Sequence, residues 1–215
     1  MLYQLSYGIC RFEGANIQII FRYNKEFYGN FVKIFSSTIN ILIAKVLKMI
    51  DRPIFLIGMM GSGKSSLASA LSLELSLPLL DTDTAIEKEV GSSISEIFLQ
   101  QGEASFRAKE KALIHALSLE PQIIACGGGL PCHHDLMQAL LNRGVVIYLE
   151  APVKCLFDRI SDEIQRPLLA SFEDFNQRLI ERTAIYQKAH LTLDATLTVQ
   201  QLVSECLKHF NTNLF

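Results

Sequence analysis

The first residues that could do chemistry form a glycine-rich run at residues 58–65, which reads Gly-Met-Met-Gly-Ser-Gly-Lys-Ser. The run matches G-x-x-x-x-G-K-[ST], a pattern in which backbone N–H groups surround phosphate oxygens, and it lies between an apolar run and a helical pattern. In such a loop, Lys64 would reach the β and γ phosphates and the Ser65 hydroxyl could bind Mg²⁺. The run therefore predicts a site for a nucleoside triphosphate, which we favour over an ordinary glycine-rich turn.

A second group is the acidic pair Asp81 and Asp83, which follows a short apolar run at residues 78–80. Ligands bind at the carboxyl ends of strands in an open α/β sheet. One carboxylate could therefore hold a metal ion or its water while the other accepts a hydrogen bond from an attacking hydroxyl group. Asp81 or Thr82 could equally cap the helix that follows. The sequence leaves both interpretations open.

Three glycines at residues 127–129 and several arginines complete the candidate groups. Consecutive glycines let backbone amides approach a ligand closely, although a tight turn from strand to helix would also account for them. Each arginine taken singly is typical of a solvated helix face, and Arg107 with Glu110 could be only an i, i+3 pair worth about 0.2 to 0.5 kcal/mol. The arginines in question are Arg107, Arg159, Arg166 and Arg182.

These groups need a framework, and the pattern from Pro53 onward supplies one. Short apolar runs alternate with longer helical patterns, which is typical of βαβ units around a parallel sheet and predicts an α/β fold. We predict strands over residues 54–57, 78–80, 123–126, 145–149 and 191–193. We predict helices over residues 64–75, 94–101, 104–117, 135–142, 153–160 and 172–188. A last helix follows from one apolar stripe, formed by Val199, Leu202, Val203, Cys206, Leu207 and Phe210.

Taken together, the candidate groups resemble those of the shikimate kinase family, over about residues 53–210. The motifs in that family's order are D-T-D at 81–83, F-R-x-x-E at 106–110, G-G-G at 127–129, R-P-L-L at 166–169 and R-x-x-x-Y at 182–186. The resemblance implies a P-loop kinase of the nucleoside-monophosphate-kinase type, with a five-stranded parallel sheet flanked by helices and a mobile lid at about residues 161–172. It also implies ATP-dependent phosphorylation of the 3-hydroxyl of shikimate, a step toward chorismate and the aromatic amino acids.

The resemblance further implies a role for each matching position. Asp83 would hold the shikimate hydroxyls and serve as the base or orient it, while Lys64 and Arg166 would complete the catalytic group. Shikimate would also be bound by Arg107, Gly128, Gly129 and Arg182, with Glu110 orienting Arg107. ATP would be bound by Gly61, Ser62, Gly63, Lys64, Ser65, Ser66, Arg159 and Arg166. Mg²⁺ would be held by Ser65 and Asp81.

Two other functions remain as alternatives. One is a different small-molecule kinase of the same fold, such as a gluconate kinase or a nucleoside-monophosphate kinase. Arg107 and Arg182 argue against the nucleotide acceptor in particular, because two guanidinium groups suit a small carboxylate substrate. The other is a catalytically idle ATP-binding module, which the filled catalytic positions Lys64, Asp83 and Arg166 argue against.

Some residues depart from the family's usual pattern. Cys126 stands before the triple glycine, where Thr or Ser is more usual, and Cys132, His133 and His134 follow soon after. We interpret them as structural, because no partner cysteine has the spacing of a zinc site. The stretch after Asp194 is short where the family often has an adenine-contacting loop, so the adenine contacts beyond Arg159 are left open.

Charge and cysteine content limit which partners and which location we expect. The 215 residues carry a net charge of −2, with +4 in residues 1–48 and −6 in the rest, so a broad nucleic-acid surface is disfavoured. The five cysteines are odd in number and never spaced C-x-x-C, which favours reduced thiols and a cytoplasmic location. No run reaches the roughly 18 apolar residues of a membrane span. We expect a monomer whose partner is shikimate, with neither nucleic acid nor membrane involved.

Residues 1–48 lie outside the resemblance. They are aromatic and basic, and they show no clear period before a regular pattern begins at Met49. A targeting peptide is one interpretation, but the segment lacks the Ser-rich and Arg-rich amphipathic character of a transit peptide. We favour a natural start at Met49, with residues 1–48 a non-native or poorly ordered extension and residues 49–215 the kinase domain.

Overall fold

The computed structural model describes residues 6–12, 15–23, 50–161 and 171–212. The chain divides into two compact units, Met1–Lys48 and Met49–Phe215. In the first unit, strands β1 (Ser6–Phe12) and β2 (Ala15–Tyr23) pair as an antiparallel hairpin. The prediction of no clear period is wrong for β2, whose odd-numbered residues from Ala15 to Tyr23 are apolar or aromatic. A natural start at Met49 stays a prediction.

The second unit contains a parallel sheet of five strands. They are β3 (Ile54–Ile57), β4 (Leu79–Asp81), β5 (Ile123–Ala125), β6 (Val145–Glu150) and β7 (Leu191–Asp194). Their order across the sheet is β4-β5-β3-β6-β7, and every neighbouring pair is parallel. The five predicted strands are confirmed, each boundary to within one residue, and so is the α/β fold class.

Helices flank this sheet. They are α1 (Lys64–Leu75), α2 (Thr82–Val90), α3 (Ile94–Ala116), α4 (Leu136–Arg143), α5 (Val153–Ser161), α6 (Phe172–Tyr186) and α7 (Val199–Thr212). A single 3-10 turn, Leu130–Cys132, follows β5. Within the described ranges, none of these helices combines the length and the apolar character needed to cross a membrane.

The predicted helices are confirmed with two differences. Helix α2 was expected only as the helix that Asp81 or Thr82 could cap, without bounds, because among its residues only Thr82 and Ile86 are buried and the apolar stripe is sparse. The two helices predicted at 94–101 and 104–117 form the single element α3, which is interrupted at Gly102 by a positive φ of 77°. The predicted lid at 161–172 and Arg166 cannot be compared, because residues 162–170 lie outside the described part of the chain.

The core fixes where the strands end. All four residues of β3 are fully buried, as expected for a central parallel strand covered by helices on both faces. Helix α7 packs through its predicted stripe, in which Leu202, Cys206 and Phe210 are buried. The carboxyl ends of the central strands are therefore held rigidly, and the loops that follow them carry the candidate groups.

A histidine side chain extends the hydrogen bonding between β6 and β7. His190, the residue before β7, accepts a hydrogen bond at Nδ1 from the Val146 N–H at 3.0 Å. Partial burial and the nearby positive groups Arg52 and His209 lower the pKa of His190 below its ordinary value of 6.5. Protonation would remove the acceptor, so this contact requires the neutral imidazole.

We expect acid to weaken the fold at this position. As the pH falls below 6.5, the histidine of the unfolded chain takes up a proton before that of the folded chain does. The free energy of unfolding therefore decreases until the pH passes below the lowered pKa of the folded state. His190→Phe should cost about 1 kcal/mol at neutral pH and remove this part of the pH dependence. Urea unfolding between pH 5 and 8 measures both, with the exposed His115→Phe as the matched control. Parallel pH profiles for the wild type and His190→Phe would contradict the assignment.

Candidate active site

The carboxyl ends of β3, β4 and β5 surround one cavity of about 480 Å³. These strands are neighbours in the sheet, so the three loops that follow them meet at one place. The predicted site residues that line the cavity are Gly61, Ser62, Gly63, Lys64, Ser65, Ser66, Asp81, Asp83, Gly128 and Arg159. The phosphate loop, the acidic pair, Gly128 and Arg159 are therefore brought together, whereas Gly129, Arg107 and Arg182 are not among the described residues that line this cavity.

The glycines of the loop at residues 58–65 are required by packing as well as by any ligand. Gly58 and Gly61 have φ values of 143° and 79°, which residues with a side chain rarely adopt. A Cβ atom at Gly58 would lie 2.7 Å from the Leu149 carbonyl oxygen, and one at Gly61 would lie 2.6 Å from the Leu156 carbonyl oxygen. The loop is thus pressed against the end of β6 and against α5.

Lys64 places a positive charge over this loop. Its Nζ donates to the carbonyl oxygens of Gly58 and Met59, each at 3.0 Å. Helix α1 begins at this lysine, so the N-terminal end of the helix faces the same space. Together the ammonium group and the helix N-terminus form an anion site suited to phosphate.

Asp81 caps the helix that follows it and also contacts Ser65 of the phosphate loop. Its Oδ1 accepts hydrogen bonds from the N–H groups of Asp83 at 3.1 Å and Thr84 at 3.2 Å, so it caps α2. Its Oδ2 accepts a hydrogen bond from the Ser65 hydroxyl at 3.3 Å. The hydroxyl and the carboxylate lie side by side in the cavity, and oxygen ligands of this kind are those that Mg²⁺ prefers.

Asp83 lies against the triple glycine. A Cβ atom at Gly127 would overlap Asp83 Oδ1, so only glycine allows this approach. The Gly127 N–H donates to the buried Thr82 hydroxyl at 2.8 Å, which joins the loop after β5 to the start of α2. The carboxylate of Asp83 is thereby held at the wall of the cavity, close to the phosphate loop.

Arg107 is held by two carboxylates rather than by one. Its Nη1 donates to the buried Glu110 at 2.8 Å, and its Nη2 and Nε donate to the exposed Glu103 at 2.8 and 3.1 Å. A Cβ atom at Gly129 would lie 2.9 Å from both terminal nitrogens of the guanidinium group. The arginine therefore lies directly on the triple glycine, and only 11% of its side chain is exposed.

Arg182 reaches the same loop from α6. Its Nη1 would lie 3.9 Å from a Cβ atom at Gly128, and it donates to the sulfur of Met59 at 3.6 Å. One turn later, the Tyr186 hydroxyl donates to the Gly128 carbonyl oxygen. The guanidinium groups of Arg107 and Arg182 thus converge on adjacent glycines beside Asp83.

Burial controls the ionisation of the groups around these arginines. It raises the pKa of Glu110 to about 6, against the opposing effect of Arg107 and with a further upward contribution from Asp83. It also raises the pKa of the buried Cys126 thiol, so this cysteine is a neutral part of the wall. Among the described residues, no cluster of three or more His, Cys, Asp or Glu could hold a metal ion by itself.

Arg159 marks the far end of the cavity. Its Nη1 donates to the Gly61 carbonyl oxygen at 3.2 Å and its Nη2 to the Ala195 carbonyl oxygen at 2.9 Å. Ala195 and Leu197, from the short stretch after β7, line the cavity beside it. Arg159 thus joins the phosphate loop to the segment where the sequence left the adenine contacts open.

Sequence reasoning missed four contributors to this site. Glu103 precedes Arg107 by one helical turn, a spacing that could have suggested the second ion pair. Thr82 and Tyr186 stood inside quoted motifs, but no motif shows that their hydroxyls bond to the triple-glycine loop. Met59 gave no signal, because its sulfur meets a residue 123 positions away.

The raised pKa of Glu110 predicts a measurable pH dependence of stability. Between its ordinary value of 4.5 and about 6, the folded carboxyl keeps a proton that the unfolded one releases, so stability falls as the pH rises. Relative to Glu110→Gln, the wild type should lose about 1 kcal/mol of unfolding free energy across this interval, and about 2 kcal/mol from well below it to well above it. Chemical unfolding at several pH values measures it.

Glu103→Gln provides the matched control for this experiment. Arg107 lowers the pKa of Glu103, so this carboxylate should contribute a change of the opposite sign. An unfolding free energy whose pH dependence is the same in the wild type and in Glu110→Gln would show that Glu110 titrates normally.

Comparison with known proteins gives one consistent result. Residues 60–211 match the family model described as shikimate kinase. The shikimate kinase of Bacillus cytotoxicus is 34% identical over 163 residues, which cover 74% of this chain and 99% of that protein.

Solved structures give the same answer. The structure of shikimate kinase from Acinetobacter baumannii in complex with shikimate has a TM-score of 0.68 at 30% identity, covering 75% of this chain and 94% of that one. A deoxyadenosine kinase from M. mycoides has a TM-score of 0.53 at 18% identity over 74% of this chain and 98% of its own, a likeness of fold alone. The chain belongs to the shikimate kinase family.

Proposed function

We propose that this protein transfers the γ-phosphoryl group of ATP to the 3-hydroxyl of shikimate, giving shikimate 3-phosphate and ADP. The observation that carries the proposal is the convergence of Arg107 and Arg182 on Gly128 and Gly129, beside Asp83 and the phosphate loop. Two guanidinium groups suit a carboxylate, and the neighbouring carboxylate suits a hydroxyl group. Family membership supports the same reaction.

The nucleotide half of the site fits ATP and Mg²⁺. Lys64 would exchange its two carbonyl partners for phosphate oxygens, and the residues of the loop from Gly61 to Ser66 would surround them. Ser65 and Asp81 already bring two oxygen atoms together, which supports their role as the metal-binding pair. When bound, ATP supplies the phosphoryl group and Mg²⁺ offsets the negative charge of the phosphates.

The acceptor half orients shikimate and takes up its proton. Arg107 and Arg182 would bind the carboxylate, and the Gly128 and Gly129 amides would line the pocket. Asp83 would accept the proton from the 3-hydroxyl as the new oxygen–phosphorus bond forms and the bond to the ADP oxygen breaks. The close approach of Asp83 to Gly127 supports this role, since it places the carboxylate beside the triple glycine and the phosphate loop.

Two further arginines complete the proposal. Arg159 would lie against the adenine, which is supported by its position between Gly61 and Ala195 at the end of the cavity. Arg166 lies outside the described residues, and its role as a lid cation over the transferring phosphate rests on the motif R-P-L-L alone. A monomeric state and a cytoplasmic location remain predictions.

Acceptor choice provides the first test of this function. We expect ADP release that requires both Mg²⁺ and shikimate, because the two arginines select a small carboxylate beside the phosphate loop. AMP, which has no carboxylate, should give no comparable turnover in the same coupled assay, and EDTA should abolish the reaction. Gluconate, an open-chain carboxylate, tests whether the site also requires the ring of shikimate, and we expect it to be inert. Comparable turnover on AMP would favour a nucleoside-monophosphate kinase, and no turnover on any acceptor would favour an idle ATP-binding module.

Removing either arginine should damage acceptor binding selectively. Arg107→Ala and Arg182→Ala each delete a charged donor from a partly desolvated site, a loss that typically costs about 2 to 5 kcal/mol. The value of kcat/KM for shikimate should therefore fall by roughly thirtyfold to several thousandfold, at a factor of ten for about 1.4 kcal/mol. Initial-rate kinetics with both substrates measure the effect, and KM for ATP should change little.

Arg178→Ala is the matched control, because this arginine is exposed on the same helix one turn before Arg182. It should retain the kinetics of the wild type. Unchanged shikimate kinetics in both Arg107→Ala and Arg182→Ala would show that the acceptor site has been assigned wrongly.

A further inference from the structure

Met59 contacts both halves of the site. It is the second residue of the phosphate loop, and its side chain is almost fully buried at 1% exposure. Its sulfur accepts a hydrogen bond from Arg182 Nη1 at 3.6 Å, while its carbonyl oxygen accepts one from Lys64 Nζ at 3.0 Å. A single residue of the loop thus touches the arginine from α6 and the lysine that begins α1.

The two arginines of the acceptor half differ in how their charge is balanced. Arg107 donates to the carboxylates of Glu103 and Glu110, so its charge is offset before any ligand binds. In the described part of the chain, Arg182 forms no salt bridge, and its side chain bonds to two uncharged groups, the thioether of Met59 and the hydroxyl of Tyr186. Its charge acts on the nearby Glu103 and Glu110, but among the described residues neither carboxylate is bonded to it.

A thioether has the properties that this position requires. Sulfur is a weak, uncharged acceptor, so it can orient one N–H group of a guanidinium without cancelling its charge. The remaining N–H groups of Arg182 stay available for bidentate binding of a carboxylate. An acidic side chain in the same place would hold the arginine more tightly but would compete with the substrate.

We propose that Met59 is a positioning residue for acceptor binding, which aims Arg182 at the substrate carboxylate through its sulfur atom. The proposal rests on the proposed function, since the carboxylate is that of shikimate. Because Met59 belongs to the phosphate loop, the orientation of Arg182 is set from the nucleotide half of the site. The side chain that selects the acceptor is thus held by the loop that binds the donor.

Met59→Leu tests this role, because leucine keeps a similar apolar volume and removes only the sulfur acceptor. KM for shikimate should rise by about three- to tenfold, the usual worth of one hydrogen bond between uncharged or singly charged partners. The values of kcat and of KM for ATP should stay within about twofold, a change too small to mark a lost interaction. Met137→Leu, another buried methionine but one in the core between α4 and the sheet, is the matched control.

A double-mutant cycle separates positioning from a general disturbance of the loop. In an Arg182→Lys background, the ammonium group cannot present the same N–H groups to the sulfur, so Met59→Leu should change KM for shikimate by less than about twofold further. A disturbance of the loop would instead add its full effect in both backgrounds. Thermal melting of every variant verifies that each one is folded under assay conditions.

Each outcome bears on one proposal alone. A wild-type protein that does not phosphorylate shikimate would overturn the proposed function. An active wild type with unchanged KM for shikimate in Met59→Leu, or with additive effects in the cycle, would overturn the positioning role of Met59. A rise in KM for ATP equal to that for shikimate would also overturn it, since the effect would then belong to the loop as a whole.

Discussion

A buried hydrogen bond from the Gly127 N–H to the Thr82 hydroxyl holds the ends of two strands in a fixed relation, and the active site depends on it. A buried N–H without a partner would be costly, so this contact sets where the loop after β5 can lie. The neighbouring bond from the Cys126 N–H to the Leu56 carbonyl oxygen joins the same loop to β3. The phosphate loop, the acidic pair and the triple glycine therefore all extend from the joined carboxyl ends of three neighbouring strands.

At these strand ends, the absence of side chains at two glycines decides which charged side chains can approach the loop after β5. Gly127 leaves room for the carboxylate of Asp83, and Gly129 leaves room for the guanidinium of Arg107. The glycines thus bring a carboxylate and a cation onto one short loop without a Cβ atom between them and the cavity. In the proposed reaction, these are the groups that face the hydroxyl and the carboxylate of the acceptor.

Charge is distributed unevenly over the acceptor half. The pair of Arg107 and Glu110 is buried, and this burial raises the pKa of Glu110 to about 6. Exposed Glu103 adds a second negative partner, so the position of Arg107 is set before any ligand binds. Arg182 is partly buried and instead meets an uncharged sulfur atom, so no described carboxylate occupies its N–H groups. A partly buried cation without a bonded carboxylate is typical of functional sites.

The sequence by itself determined the α/β fold, the five strands, the phosphate loop and the family, because apolar periodicity and short glycine motifs are local properties of the chain. It placed Arg107 and Glu110 one turn apart and left open whether they form only a surface pair, since nothing local indicates that Glu110 is 1% exposed. Only the tertiary structure decided that Met59 meets Arg182 and that Thr82 meets Gly127, across 123 and 45 positions of the chain. Such contacts follow from the order of strands in the sheet and from how helices pack on it, and these are set by the whole core rather than by any one segment.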